Sequence, residues 1–436
     1  MFITLFKKIT ELFEKRLFLL YILFIIFIFC VSITYANFYI EKFSYQFNDH
    51  NELILKLVPF GYGGIIDNLY HHNRFEQIWN GIDTYLSRLP FLPFFITLLC
   101  KISLNGYFII TAKNIIFFSL IFYCIYLVSN SSNRKLLSII FLLSLFFYNF
   151  YNLTVLLTYG FADTYIAAIL PCIFLILISN LEKKYLLVSI LIFILFFTKT
   201  TVFFLTIFIS LFFLILENKF SIYKRAFPII FLSLAILFWG TFGVIKTQKF
   251  PIGSSMLSNN QEALAVAMNK NFKRYYPKLS VDLIPEALAF ENVDKKFDNE
   301  WKFSNYFKNK NKEYIKNNKL NIFKDTITKL KFIFFNFRKD AIHAEVNSNY
   351  KNPVMYSHII NRIIFLMSLV LLIKNLYNNL LNKKIKNIDI YYLIIVMFSL
   401  FPHVVGWATS KHLVPLFLVA NFYLVFRLKY FKRLIQ

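Results

Sequence analysis

The sequence contains few of the residues that punctuate or cross-link soluble domains. Its 436 residues include 10 Gly, 11 Pro and 4 Cys, and 23 Asp and Glu stand against 48 Lys and Arg. The cysteines lie inside apolar runs without metal-ligand spacing, so neither a disulfide framework nor a zinc site is indicated. No Walker, GxGxxG, HExxH or GxSxG motif is present, so nucleotide-binding, zinc-protease and serine-hydrolase functions have no local support. No metal site is therefore assigned and no cofactor is named, with a divalent metal left open as an alternative.

Apolar residues are what the chain has in excess. They make up 58% of it, aromatic residues make up 20%, and the mean hydropathy is +0.57. Apolar runs long enough to cross a bilayer recur along the chain, which predicts an all-α polytopic membrane protein. The formal charge of +25 is then explained by basic residues at the cytoplasmic ends of spans, not by nucleic-acid binding.

The basic residues also predict the topology. The apolar runs cover about 17–36, 90–104, 107–128, 136–157, 161–180, 185–198, 201–217, 227–245, 354–373, 388–406 and 411–428. If 90–104, which is short and broken by Pro90, Pro93 and Lys101, is an interfacial or re-entrant helix, every basic cluster faces the cytoplasm. About ten transmembrane helices follow, with both termini cytoplasmic and 17–36 read as a retained signal anchor.

This topology divides the chain into three parts. Residues 1–245 form an N-terminal transmembrane module that includes a first extracytoplasmic loop, 37–106. Residues 246–353 form one long extracytoplasmic loop with amphipathic helices, expected at 261–268 and within 303–337. Residues 354–436 form the C-terminal transmembrane helices. The first loop, the long loop and the turns near 159–163, 198–201 and 407–412 are all expected to meet at the outer surface.

The first loop holds the most informative polar residues. Asp67 follows a glycine-rich stretch, 61–64, that favours a tight turn, and a carboxylate beside the membrane is a suitable general base for an acceptor hydroxyl. A solvated loop aspartate is the alternative for Asp67, and Asp49 competes for the same role. Arg88 precedes Pro90 and the predicted interfacial helix, where its guanidinium can clamp a phosphate or snorkel to lipid headgroups.

Further polar residues lie at the other outward turns. Asp163 stands at the mouth of two apolar spans, where a carboxylate is costly unless it is paired or functional. Lys199 interrupts the apolar run from 185 to 216. Lys411 and His412 open the last span on its outer side, where the charge rule predicts few cations. Cations at these positions favour an anionic partner such as a lipid-borne phosphate.

The order of these residues resembles a known family. A first-loop Asp, then Arg88-Leu-Pro90, a second-loop Asp, an outward Lys, a long loop and a late Lys411-His412 with Pro415 are similar to the GT-C superfamily of membrane glycosyltransferases, the branch that includes dolichyl-phosphate-mannose protein mannosyltransferases. The resemblance implies that Asp67 and Asp163 are catalytic and that Arg88, Lys199, Lys411 and His412 bind the lipid phosphate. Where relatives carry an acidic pair, Asp67 is followed by Asn68, so Asp67 and Asp49 both stay open as the base.

The resemblance implies a GT-C-like fold and a definite reaction. A sugar would pass from a polyprenyl-phosphate carrier to an acceptor hydroxyl on a glycolipid, lipopolysaccharide or protein, on the extracytoplasmic face. The partners are then the lipid-linked donor, the acceptor and membrane lipids, without nucleic acid. The abundance of Lys, Asn, Ile and Phe is typical of an AT-rich bacterial genome, which indicates an integral protein of the bacterial inner membrane.

Two other functions remain alternatives. An O-antigen polymerase or ligase also has ten to twelve spans and one long outward loop, but would use Arg and His of large loops and tolerate loss of Asp67. A lipid-linked-sugar flippase or transporter would carry charged residues near the middle of the membrane, broken helices and inverted repeats. Lys113 lies inside a span, but no repeat is evident.

Overall fold

The computed structural model describes residues 21–33, 62–79, 82–131, 162–255, 297–317, 348–381, 386–405 and 410–427, together with 324, 326, 327, 330, 331, 333 and 334. Helices dominate this part of the chain. They are α1 (Tyr21–Ile33), α2 (Gly63–His72), α3 (Phe91–Ile102), α4 (Gly106–Ser131), α5 (Ala162–Ile178), α6 (Lys184–Phe196), α7 (Phe203–Leu216), α8 (Ile222–Thr247), α9 (Glu300–Asn317), α10 (Ser348–Leu381), α11 (Asn387–Val405) and α12 (Val414–Arg427). Short 3-10 helices cover Thr200–Val202 and Ser410–Leu413.

Two helices form the centre of the bundle. In α5 and α12 nearly every described side chain is buried. The two helices pack against each other, and α5 also contacts α4, α6 and α11. A helix that is apolar around its whole circumference is stable only where neighbours or lipid cover it, and here neighbouring helices do so.

The outer helices expose apolar side chains instead. On α8 the buried residues Leu232, Ala235 and Trp239 recur every three to four positions, which places them on one helix face. The opposite face exposes Leu234 and Phe238. The outer face of α10 is similar, with Ile363, Met367, Val370 and Ile373 exposed. Continuous apolar faces of this extent would be unstable in water, so they are surfaces for lipid.

Helix length separates two groups. Within the described residues, four stretches are long and apolar enough to cross a bilayer: Gly106–Val128, Ile222–Thr247, Ile359–Asn378 and Asn387–Val404. α5, α6 and α7 have 17, 13 and 14 residues. At 1.5 Å per residue they measure about 20–26 Å, less than the hydrocarbon core of about 30 Å. The prediction of a helical membrane protein is confirmed, whereas about ten complete spans stays a prediction.

The first loop is structured where it is described. Gly63 and Gly64 begin α2, so the tight turn predicted from these glycines is wrong and Asp67 lies inside a helix. An antiparallel hairpin of β1 (Gln77–Trp79) and β2 (Ile82–Thr84) follows, which the all-α prediction did not include. α3 has 12 residues, about 18 Å, which agrees with an interfacial helix and not with a complete span.

Several expectations fall outside the described residues. They include Asp49, the apolar run 136–157 and the helix expected at 261–268. Of the amphipathic pattern in 303–337, the first half is the helix α9, which begins at Glu300. The backbones of Asp163 and Lys411 are described, at the start of α5 and in the second 3-10 helix, while their side chains are not.

Candidate functional site

Backbone hydrogen bonds join the first loop to two other segments at one end of the bundle. The Ser255 amide, which follows α8, donates to the Leu86 carbonyl at 2.7 Å. The Phe91 amide donates to the Phe197 carbonyl at 3.1 Å. Phe91 lies three residues after Arg88, and Phe197 lies two before Lys199. The turns that carry these two predicted phosphate-binding residues are therefore neighbours.

The segment after α8 folds back along that helix. Gln248 has a left-handed backbone with φ of 57°, which reverses the chain at the helix end. A Cβ on Gly240 would lie 2.1 Å from the Phe250 ring, so glycine is what allows the returning chain this close approach. The Trp239 Nε1 donates to the Gly253 carbonyl at 2.7 Å. Trp239 lies eight residues, or about 12 Å along the helix, before the end of α8. The returning chain therefore runs back beside α8 over about this distance.

The turn after α6 meets this returning chain. The hydroxyls of Thr200 and Ser254 are 2.7 Å apart, and the Ser254 amide donates to Thr200 Oγ1 at 3.2 Å. Lys199 immediately precedes Thr200 and is partly exposed. Lys199 therefore lies beside the first residues of the long loop, near the level of Trp239 and not at the end of α8.

A buried carboxylate connects the long loop to the first loop. Glu300, at the start of α9, is 1% exposed. Its Oε1 and Oε2 accept hydrogen bonds from the backbone amides of Tyr85 and Leu86, each at 3.2 Å. Ser304, one turn further along α9, donates from Oγ to the Ser255 carbonyl at 2.5 Å. Burial raises the pKa of Glu300, and the two amide hydrogen bonds oppose this only in part.

Cationic side chains lie over aromatic rings around this junction. The Arg88 guanidinium carbon is 5.1 Å from the centre of the Tyr62 ring, which precedes α2. Lys246 Nζ lies 5.4 Å from the centre of the Tyr85 ring. Stacking on a ring leaves the edge of a cation able to meet an anion. We call this junction of the first loop, the Lys199 turn and the chain after α8 the recess. Positively charged side chains lie at its edge.

The charged contact that Asp67 makes lies within its own helix. Its carboxylate is 3.5 Å from His71 Nε2 on the next turn of α2, and the two side chains are 41% and 52% exposed. Among the described residues, no ion pair joins Asp67 to Arg88 or Lys199. A carboxylate this exposed remains accessible to solvent.

The late basic motif lies at the same end of the bundle. The 3-10 helix at Thr200–Val202 contacts α11, and Phe204 meets Phe401 of α11 edge to face at 6.5 Å. His412 is buried and stacks on His403, with ring centres 3.5 Å apart. At the start of α5, Tyr165 contacts the Phe91 ring edge to face at 5.7 Å, which places this helix end beside the first loop.

Sequence reasoning missed the residues that hold the recess together. Nothing in the sequence around Glu300 distinguishes it from the other acidic residues of the basic, polar long loop. Its hydrogen-bond partners lie 215 and 214 positions earlier in the chain. Trp239 and Gly253 likewise carried no recognisable motif. The hairpin did have a signal, because Asn80-Gly81 between the strands favours a two-residue hairpin turn. Across the described part of the chain, no group of three or more His, Cys, Asp or Glu is arranged to hold a metal ion.

The fold and its apolar outer faces define a predominantly helical membrane protein. Long apolar helices carry lipid-facing surfaces, and the polar junction lies at one end of the bundle. No known protein family, no characterised protein and no solved structure matches the chain.

Proposed function

We propose that the protein is a membrane glycosyltransferase that moves a sugar from a polyprenyl-phosphate carrier to an acceptor hydroxyl on the extracytoplasmic face of a bacterial inner membrane. The observation that carries the proposal is the recessed junction of the first loop, the Lys199 turn and the entry to the long loop. Its hydrogen bonds join the turns that carry Arg88 and Lys199 to each other and to the chain that returns along α8. A lipid-linked phosphate would reach this junction from the bilayer.

The reaction follows from what such a donor requires. The acceptor oxygen attacks the anomeric carbon, the bond from that carbon to the phosphate oxygen breaks, and polyprenyl phosphate leaves with the electron pair. The acceptor proton passes to a carboxylate, for which Asp67 is the candidate and Asp49 the alternative. Arg88 and Lys199 neutralise the departing phosphate in a site of low dielectric constant, an effect worth several kcal/mol.

The remaining predicted residues have supporting roles in this proposal. Asp163 at the start of α5 is the second carboxylate, and Lys411 and His412 complete the phosphate site. This grouping is supported by position, because the start of α5, the Lys199 turn and the second 3-10 helix lie at the same end of the bundle. No nucleotide-binding fold is required, because the lipid phosphate is itself the leaving group.

The test uses a strain that lacks the gene, complemented with variants. Deletion should cause a polyprenyl-phosphate-linked sugar to accumulate and one surface glycan to lose that sugar. Arg88→Gln should lower transfer about 100-fold or more, because a transition-state contact to phosphate is lost. Arg88→Lys should restore part of the activity by keeping the charge but not the bidentate geometry.

Asp67→Asn tests the base, and Asp83→Asn, at an exposed position of the same loop, is its matched control. Loss of transfer in the first variant with normal transfer in the second supports Asp67. Full activity of Asp67→Asn with loss in Arg88→Gln would exclude Asp67 as the base and leave Asp49 or the polymerase or ligase alternative. Unchanged lipid-linked sugars in the deletion strain would end the glycosyltransferase proposal.

One observation favours the transporter alternative. Lys113 is 2% exposed inside α4, and the neighbouring Asn114 donates from Nδ2 to Ser32 Oγ of α1 at 2.9 Å. Ionisable residues buried between transmembrane helices often line substrate or proton paths. A transporter would need Lys113 and tolerate Arg88→Gln, whereas the transferase should show the reverse dependence. Uptake or flipping of a labelled lipid-linked sugar into proteoliposomes separates the two.

A further inference from the structure

A polar cavity lies at the opposite end of the bundle from the recess. α6 begins at Lys184, which lines this cavity, and ends at Phe196 beside the recess, so the two places are about 20 Å apart along the helix. The cavity has a volume of about 1050 Å³. It lies where the ends of α5, α6, α7, α11 and α12 meet the side of α10, at the end that the charge pattern predicts to be cytoplasmic.

The lining of the cavity is strongly basic. It includes five basic side chains, Lys184, Lys219, Lys374, Lys386 and Arg427, and one acidic side chain, Glu217. Carboxamides add neutral donors and acceptors, from Asn180, Asn218, Asn375, Asn378 and Asn387. An anion that carries several oxygen acceptors would find hydrogen-bond donors on most sides of this cavity.

Two of the cations are already neutralised. Lys184 Nζ lies 2.8 Å from Glu217 Oε1, and both side chains are less than a tenth exposed. Arg427 Nη2 lies 2.9 Å from Asp389 Oδ2, which is fully buried. The Tyr423 hydroxyl holds the other Asp389 oxygen at 2.8 Å. Because these two pairs are neutral overall, the remaining lysines determine the net charge of the cavity.

Lys219 and Lys374 carry that charge. Both are exposed at the cavity, and neither forms an ion pair with any residue that the structure describes. They approach from different elements, the turn after α7 and the side of α10, so an anion between them would be held from two directions. Like charges brought together in this way favour binding of an anion.

The walls also include apolar residues, which favours a ligand with an apolar part as well as an anionic group. Leu177, Ile178, Leu371 and Phe426 line the inner wall. Immediately outside, α10 presents the exposed apolar side chains of Val370, Ile373 and Tyr377 along the lipid-facing surface. A ligand with a phosphate group and acyl chains would contact both the basic cavity and the apolar face of α10. A small soluble anion would contact only the cavity.

We infer that this cavity binds the phosphate headgroup of an anionic phospholipid from the predicted cytoplasmic leaflet. Lys219 and Lys374 contact the phosphate, the asparagine side chains bind the polar headgroup, and the acyl chains lie on α10. Anionic lipids are concentrated in that leaflet and are attracted by basic residues at the ends of spans. The inference does not depend on the glycosyltransferase proposal.

The test measures lipid binding to the purified full-length chain in detergent. Native mass spectrometry with dioleoylphosphatidylglycerol should show a tightly bound lipid, and dioleoylphosphatidylcholine should bind much more weakly. The double variant Lys219→Gln, Lys374→Gln should bind phosphatidylglycerol about 10- to 30-fold more weakly. Lys183→Gln is the matched control, because Lys183 is exposed at the same end but does not line the cavity, and it should bind like the wild type.

Thermal unfolding provides the second measurement. Phosphatidylglycerol should raise the melting temperature of the wild type and of Lys183→Gln, but not that of the double variant. Equal binding by the double variant and the wild type would overturn the inference, as would equal binding of the two lipids. A rise of the same size with glycerol phosphate alone would also overturn it, and would identify a soluble phosphate compound as the ligand.

Discussion

Replacing Glu300 with alanine should release α9 from the first loop. The Glu300 carboxylate supplies the acceptors for the amides of Tyr85 and Leu86, and it does so from a position that is 1% exposed. Water cannot easily replace an acceptor in a buried site. The substitution therefore leaves two N–H groups without their partners, that of Leu86 buried and that of Tyr85 partly buried.

The size of the effect follows from those two hydrogen bonds. A buried donor that loses its acceptor costs about 1–3 kcal/mol, so the pair costs about 2–6 kcal/mol of docking free energy. Each 1.4 kcal/mol is about a factor of ten in an opening equilibrium. Protection of the Tyr85 and Leu86 amides against hydrogen exchange should therefore fall by about 30-fold to 20,000-fold.

Hydrogen–deuterium exchange with mass spectrometry measures this directly. Peptides covering 82–91 should exchange faster in Glu300→Ala, while peptides from the buried helix α5 should not change. Glu313→Ala is the control, since Glu313 is exposed on the same helix. Unchanged protection of 82–91 in Glu300→Ala, or an equal loss in Glu313→Ala, would refute the reasoning.

The same contact should depend on pH. Burial raises the pKa of Glu300 above its ordinary value of 4.5. The docked carboxyl then binds a proton more readily than the released one, so docking is strongest below the ordinary pKa. It weakens as the pH rises through the higher, docked value. Glu300→Gln is neutral throughout, so the wild-type protection relative to this variant should fall with rising pH. A ratio that stays constant or rises would contradict the pKa shift.

Two further substitutions test the packing. Gly240→Ala should lower the melting temperature by the equivalent of about 1–3 kcal/mol, because its Cβ would overlap the Phe250 ring. Gly64→Ala, whose Cβ would have its closest contacts at 3.3 Å, should cost less, and an equal loss would argue against the fold-back. Lys184→Met should destabilise by about 3–5 kcal/mol by leaving Glu217 charged and buried, and adding Glu217→Leu should recover much of this. Stability of the single variant equal to the wild type would show that the ion pair is not formed.

Much of the fold was predictable from local patterns. The apolar runs predicted helices whose described bounds lie close to those runs, because helix formation and membrane insertion depend on neighbouring residues. The short run after Arg88 was predicted not to span and is a helix of 12 residues. The turn at Lys199 was also predicted, since one charged residue interrupts a long apolar run.

The candidate site was predictable only in part. The positive-inside rule brought the first loop and the Lys199 turn to the same end, and the Phe91–Phe197 hydrogen bond places them side by side. The catalytic role of Asp67 stays a prediction, and its ion pair is with His71. The tight turn before it was wrong because the glycines begin a helix, where the packing of Ile65 and Ile66 offsets their low helix propensity.

The sequence by itself determined the class of protein, because this depends on the apolar or polar character of consecutive residues. Which apolar residues face lipid was decided by packing, since the equally apolar helices α5 and α12 are covered by their neighbours. The sequence also predicted that the basic clusters between spans lie on the cytoplasmic side. Only the tertiary structure decided that Glu300 anchors the first loop, that the chain returns along α8 to Trp239, and that Lys219 and Lys374 share a cavity. These contacts join residues that are distant in sequence, and each needs a complementary surface that exists only after the helices have packed.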